Sequence, residues 1–342
     1  MMLEQLSQRA NQDLIHYLDA HLADSPREFR DDVLYAVRIS APLRERMYLV
    51  RVAADLADAD WETVDPFAFA AELFIVSALT ADDVIDGAER RSGEPSLCRC
   101  KGPARSFLVA EWLHTIATAC LWPKMTSVSS ATWRRAAQEF QESFRLFFVN
   151  QYLTSSLEHN PNVGIEVLDE LARGRTGRLL EACLTAPAIA AAPDETAMAL
   201  AECGRWLGIA FQHRDDILDF IGASEVLGKP ILLDLLNGQP NLVLCHAFTI
   251  THDQTRRDML LRHFGAAGTY PDARKRGPDL QEEIVSALRT SGSLLFAARV
   301  VQDYCNRAIQ SLGALAPSSA KQELEDFVRV VGTIQFPWES AL

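Results

Sequence analysis

Residues 211–220 read FQHRDDILDF, with Asp215, Asp216 and Asp219 set among isoleucine, leucine and phenylalanine. On a helix, residues four apart lie one above the other, so Asp215 stands over Asp219. Like charges at that spacing oppose each other, and apolar neighbours deepen the cost. A second run, LTADDVIDG at 79–87, repeats the pattern with Asp82, Asp83 and Asp86. Two such triplets on helical faces ask for cations, and hard oxygen ligands favour Mg²⁺ over zinc, with Mn²⁺ able to take its place.

Helical periodicity extends on both sides of these runs. Leu73, Val76, Leu79 and Ile85 recur at helix spacing, as do Leu179, Leu180 and Cys183, and Ile209, Ile217 and Phe220. Glycine and proline fall between the helical stretches, at 92–95, 160–162, 192–194, 228–230 and 238–240. Asp194 reads as a helix N-cap, and 268–277 as a polar loop. With no long linker, we expect one all-α domain over residues 1–342, of ten or more helices, with 1–30 as a helical extension.

The chain has 342 residues, 48% of them hydrophobic and 23% charged, which is the balance of a packed globular protein. A net charge of -13 argues against nucleic acid or anionic lipid as partners held by bulk electrostatics. The seven cysteines are scattered, as in proteins of a reducing compartment. The N-terminus lacks an apolar signal core, and no apolar stretch is read as reaching the roughly 18 to 20 residues that span a bilayer. The expectation is a soluble, cytoplasmic protein without stable membrane insertion.

Mg²⁺ seldom has an all-protein cage and usually shares phosphate oxygens with a substrate. A phosphate also needs cationic donors, for which Arg91, Arg175 and Lys229 are the candidates.

These residues resemble a known family. The run at 211–242, FQHRDDILDFIGASEVLGKPILLDLLNGQPNL, is similar to the second aspartate-rich region of the trans-isoprenyl diphosphate synthases, or polyprenyl synthetases. LTADDVIDGAERRSGEPS at 79–96 resembles their first such region. RGRTGRLLEAC at 173–183 resembles the segment with a Lys-Thr pair, Arg175 standing for the lysine, and LRERMYLVRVAADL at 43–56 resembles the GKRxRP segment. The likeness implies the class I isoprenoid synthase fold, an all-α bundle around an apolar cavity, often a homodimer. It also implies three Mg²⁺ ions, two on Asp82, Asp83 and Asp86 and a third on Asp215 with Asp219. Arg91, Arg175 and Lys229 would then hold the diphosphate of an allylic prenyl substrate, with Gln212 close to the reacting carbon.

The pattern departs from the family at the site for isopentenyl diphosphate, the chain-extending partner. By the same resemblance that site uses a lysine, an arginine, a histidine and a second arginine. Here those positions hold Leu43, Arg46, Ile75 and Ser92. A diphosphate deprived of its cations is poorly held. The expected reaction is therefore ionisation followed by cyclisation to a terpene, with release of diphosphate. The alternatives are transfer to a non-isopentenyl acceptor such as an aromatic ring, ordinary chain elongation, and a silent regulatory subunit.

Phe74, Phe147, Phe148, Trp206 and Phe211 could stabilise a carbocation. By family analogy, the small Ser77 and Ala78 suggest a deep cavity for a chain of roughly C15 to C25, centred on C20, with Phe74 as a floor and Gln151 on the wall. Asn150, Thr154 and Glu158 have the spacing of a cyclase metal triad but lie outside the second aspartate run.

Overall fold

A computed structural model describes residues 2–122, 130–191, 194–222, 231–250, 253–266 and 277–338. Lys229, Asp194 as a cap, and the polar loop before residue 277 fall in or against the stretches outside these ranges. The elements are α1 (Met2–Leu22), α2 (Arg27–Ile39), α3 (Glu45–Leu56) and α4 (Trp61–Ile85). A two-stranded ribbon follows, β1 (Arg90–Arg91) with β2 (Glu94–Pro95). After it come α5 (Leu97–Lys101), α6 (Pro103–Cys120), α7 (Ser130–Ser156), α8 (Ile165–Ala172), α9 (Arg178–Ala191) and α10 (Asp194–Ile221). The chain continues through α11 (Leu233–Asn237), α12 (Leu242–Ile250), α13 (Gln254–His263), α14 (Gly277–Thr290), α15 (Ser293–Ser311) and α16 (Ser319–Gly332).

Local chemistry sets several of these boundaries. The Asp60 side chain accepts from Thr63 N at the start of α4, and Ser96, Asp253 and Ser318 play the same part for α5, α13 and α16. Between α8 and α9 the helix widens into a π-helical turn at Arg173–Gly177. That turn sits hard against α10. A Cβ at Gly208 would come within 2.5 Å of Gly177 Cα and 2.6 Å of the Thr176 carbonyl. Only glycine permits this approach, and the approach places Thr176 opposite Gln212.

The core is continuous. Helix α4 packs on α3 and α6, α10 on α9 and α15, and α7 on α9. Apolar side chains from α1 to α16 belong to one buried cluster. The N-terminal segment is part of it, since Leu14, Leu18 and Leu22 are fully buried. Asn11 Oδ1 accepts from Arg44 Nε at 2.7 Å. Arg44 is itself buried, bonding Glu72 at 3.3 Å and the carbonyls of Ser40 and Val37. One reading is corrected: α4 is long and apolar enough to cross a bilayer by length and composition. Its apolarity instead serves burial, with 72% of its most apolar stretch inside the protein.

Candidate active site

One cleft of about 200 Å³ gathers residues from α3, α4, α7, α8, the π-helical turn, α10 and α11. Asp82 on α4, Asp86 at its C-cap, and Asp215, Asp216 and Asp219 on α10 all line it, as do Arg46, Arg90, Arg91, Arg175, Gln151 and Gln212. The two acidic runs, 133 residues apart by first aspartate (82 and 215), thus open onto one space.

The carboxylates have different surroundings. Asp82 accepts from Gln151 Nε2 at 3.5 Å, and Asp86 from Gln239 Nε2 at 3.1 Å. Burial, and next the neighbouring Asp82, push the Asp86 carboxyl up to about 7, against the opposing pull of Gln239, Arg91 and Arg175. Asp83 is the exception among the expected metal ligands. It is buried, does not line the cleft, and accepts from Arg91 Nε at 3.1 Å. Its place is beneath the wall, where it aims the arginine, and Asp82 and Asp86 are the members of the first run that face the cleft. Arg91 also lies 3.8 Å from Asp82.

In the second run Asp215 is exposed to the cleft. Asp219 accepts from the backbone N–H groups of Leu233 and Asp234, at 3.1 and 3.2 Å. Through this short segment the second run is tied to Gln239, and through Gln239 to Asp86. Asp216 accepts from Leu242 N at 3.1 Å and Gln212 Nε2 at 3.4 Å, and faces His213 Nδ1 at 3.5 Å. His213 is buried, with its Nε2 2.7 Å from Asp169, which also accepts from Tyr304 at 2.6 Å. Burial alone would lower the imidazole's pKa, but its bonds to Asp169 and Asp216 outweigh this and hold it up at about 9.

Among the described residues, no three Asp, Glu, His or Cys side chains converge into a closed metal cage. The donor set nevertheless suits Mg²⁺, because hard oxygens stand on two walls of an open cleft where phosphate and water complete the shell. Three buried atoms here lack partners, Arg46 Nε, Gln151 Oε1 and Arg175 Nε, so the cleft holds polar groups not yet satisfied. Arg175 lies over the Phe147 ring at 5.8 Å, and Thr176 donates to Gln212 Oε1 at 3.0 Å.

The apolar end differs from the expectation of a deep cavity. Ala78, Ile75 and Phe211 line the cleft, but Ser77, Phe74 and Phe148 do not. Phe147, from α7, also lines it. Behind it Phe74 stacks on Phe144 with centroids 3.9 Å apart and meets Phe147 edge-on at 5.3 Å. Phe148 is 42% exposed and meets Phe74 edge-on at 5.8 Å. Trp206 is also outside the cleft, stacked on Tyr304 at 5.6 Å. Of the alternative metal triad, Thr154 lines the cleft while Asn150 bonds the Leu146 carbonyl, and Asn150 and Glu158 are not on its lining.

The sequence reading also missed Glu45. It stands where the family pattern has its variable residue and bonds Arg46 at 2.9 Å. Burial pushes its carboxyl up; Arg46 opposes this, while Asp215 and Glu72 add to it. A carboxylate beside a candidate diphosphate-binding arginine was the available signal. Leu43 is 58% exposed, Ser92 is exposed, and Ile75 forms part of the wall.

The family model for polyprenyl synthetases matches residues 41–276. Octaprenyl diphosphate synthase of Escherichia coli (strain K12) is 28% identical over 254 residues, covering 74% of either chain. A short chain isoprenyl diphosphate synthase of Methanocaldococcus jannaschii is 30% identical over 245 residues, 69% of this chain and 72% of that one. The crystal structure of geranylgeranyl pyrophosphate synthetase from Pyrococcus horikoshii superposes with a TM-score of 0.81 at 26% identity, covering 98% of this chain and 100% of that one.

Proposed function

Because the chain belongs to the polyprenyl synthetase family, we propose that it is a Mg²⁺-dependent prenyltransferase that ionises an allylic prenyl diphosphate in this cleft. The observation that carries this reading is the meeting of Asp82 and Asp86 with Asp215 and Asp219 across one cavity rimmed by Arg91 and Arg175. Mg²⁺, when bound, supplies Lewis acidity to the diphosphate and offsets charge on the leaving group. Arg175 and Arg91 orient that group, and Lys229 is assigned to it from sequence. Gln239 and the backbone around Asp219 fix the spacing of the walls. Phe147, Phe211 and Ile75 keep the hydrocarbon side dry, and the aromatic faces favour the allylic cation. The C–O bond breaks with its electron pair on the diphosphate. A π pair of the nucleophile forms the new C–C bond, and the cation left on the nucleophile is quenched by loss of a proton to the diphosphate.

Two readings of the nucleophile remain. Chain extension by isopentenyl diphosphate is supported by the relatives, which are named synthases of prenyl diphosphates. Capture by an acceptor without a diphosphate, or by the chain's own double bonds, is favoured by Glu45 on Arg46 and by Ile75. The cyclase form of this second reading draws no support from the relatives' names. We also propose a cytoplasmic protein, in keeping with its scattered cysteines, and a homodimer, as the family resemblance implies.

The test is to incubate the enzyme with Mg²⁺ and C10, C15 or C20 allylic diphosphates, with and without labelled isopentenyl diphosphate, and to measure diphosphate release and extracted products. Asp82→Ala and Asp215→Ala should each lower release by about a hundredfold or more, with the helical circular dichroism unchanged. Full release by both variants refutes the assignment.

A further inference from the structure

The acceptor side of the cleft is built around a single ion pair. Arg46 is 7% exposed, and its guanidinium lies over the Phe211 ring at 5.2 Å. Its Nη1 is bonded to Glu45 Oε2 at 2.9 Å, and its Nε is buried without a partner. The surrounding wall is apolar, with Ile75 and Phe211. Of the other arginines lining the cleft, Arg91 is on Asp83 and Arg90 donates to the Gly93 carbonyl, while Arg175 stands at the Phe147 end of the cleft with its Nε unpartnered. The neighbouring Arg44 is below the wall, committed to Glu72.

We propose that Glu45 is a specificity-determining residue: it occupies, as a built-in anion, the arginine on which an acceptor diphosphate would rest. This half of the cleft therefore selects an uncharged π-nucleophile, an alkene or aromatic ring.

The reasoning is electrostatic. A guanidinium already paired with a carboxylate offers a diphosphate little net charge, and the carboxylate repels it. The pair leaves the Nε–H unpartnered between two apolar surfaces. That combination suits a neutral body and disfavours a multiply charged head. Exchanging Glu45 for glutamine keeps the shape and removes the charge, so Arg46 becomes available to an anion. The inference rests on the prenyl-transfer reading, but it is decided by a binding measurement that needs no turnover.

The measurement is titration calorimetry of isopentenyl thiolodiphosphate, an unreactive diphosphate, into the Mg²⁺-loaded full-length protein. Glu45→Gln should bind it about tenfold more tightly than the parent, and Glu45→Gln/Arg46→Gln should lose the gain. Glu45→Met serves as a second charge-free variant should the glutamine form fail to fold. Equal affinity in the parent and both charge-free variants overturns the proposal, as does parent affinity that falls when Glu45 is replaced. Diphosphate release from the allylic substrate is scored separately: its absence in the parent counts against the proposed function and leaves the calorimetric comparison at Glu45 intact.

Discussion

Protonation of Asp86 should govern how tightly the cleft takes up a divalent ion. In the metal-free protein its carboxyl is pushed from an ordinary 3.8 up to about 7, first by burial and next by Asp82. A cation must displace that proton. Below pH 7 the apparent affinity should therefore fall about tenfold per pH unit, and above it the curve should level. Between pH 7.5 and 5.5 the loss is about 25-fold for one competing proton. Calorimetric Mn²⁺ titration in two buffers of different ionisation enthalpy reads both quantities, with close to one proton released per protein near pH 6. Asp86→Asn should bind more weakly at pH 7.5 and lose the steep pH dependence. An affinity that is flat from pH 5.5 to 7.5, or no proton release at pH 6, would refute the reasoning.

Three further outcomes are expected. Replacing Arg44 with methionine strands the buried Glu72, and urea unfolding should show a loss of about 3–5 kcal/mol, part of which Arg44→Met/Glu72→Met recovers. Phe147→Ala should open the cleft toward the Phe74–Phe144 stack and shift its preference to longer allylic diphosphates, read by diphosphate release from C10, C15 and C20 substrates. An unchanged preference would show that Phe147 does not limit chain length. His213 has a folded-state value of about 9 against an ordinary 6.5. Its ion pairing thus contributes stability fully below about pH 6.5, and this is lost as pH rises through about 9. His213→Gln should flatten the fall in melting temperature across that window, measured with Mg²⁺ present throughout.

The acidic runs were legible because carboxylates at helical spacing inside apolar sequence are costly, and two copies of a costly pattern point to one function. The all-helical fold followed from periodicity and from where glycine and proline fall. What sequence hid were contacts between distant elements. His213 reads as one residue of an apolar run, because its partners Asp169 and Tyr304 come from α8 and α15. The cavity wall was sought on α4, where Ser77 and Ala78 are small, and α7 adds Phe147 to it from across the bundle. Asp83 looked equivalent to Asp82 until helix rotation turned it into the protein and under Arg91. Glu45 was passed over because the segment around it matches its family pattern only loosely.

The widened turn at Arg173–Gly177 has a consequence for how one stripe of sequence is shared out. Leu168, Leu171, Ala172, Arg175 and Thr176 keep regular helical spacing and all border the cleft. Leu179, Leu180 and Cys183 continue the same spacing, yet they are buried and border none of it. An ideal helix would hold the two groups on one side. An extra residue in a turn rotates the rest of the helix by about 100°, so the turn works as a phase shifter, sending the upper part of the stripe to the cleft and the lower part to the interior. Winding the same residues as an unbroken α-helix would put the two groups back in step and force them to compete for a single side.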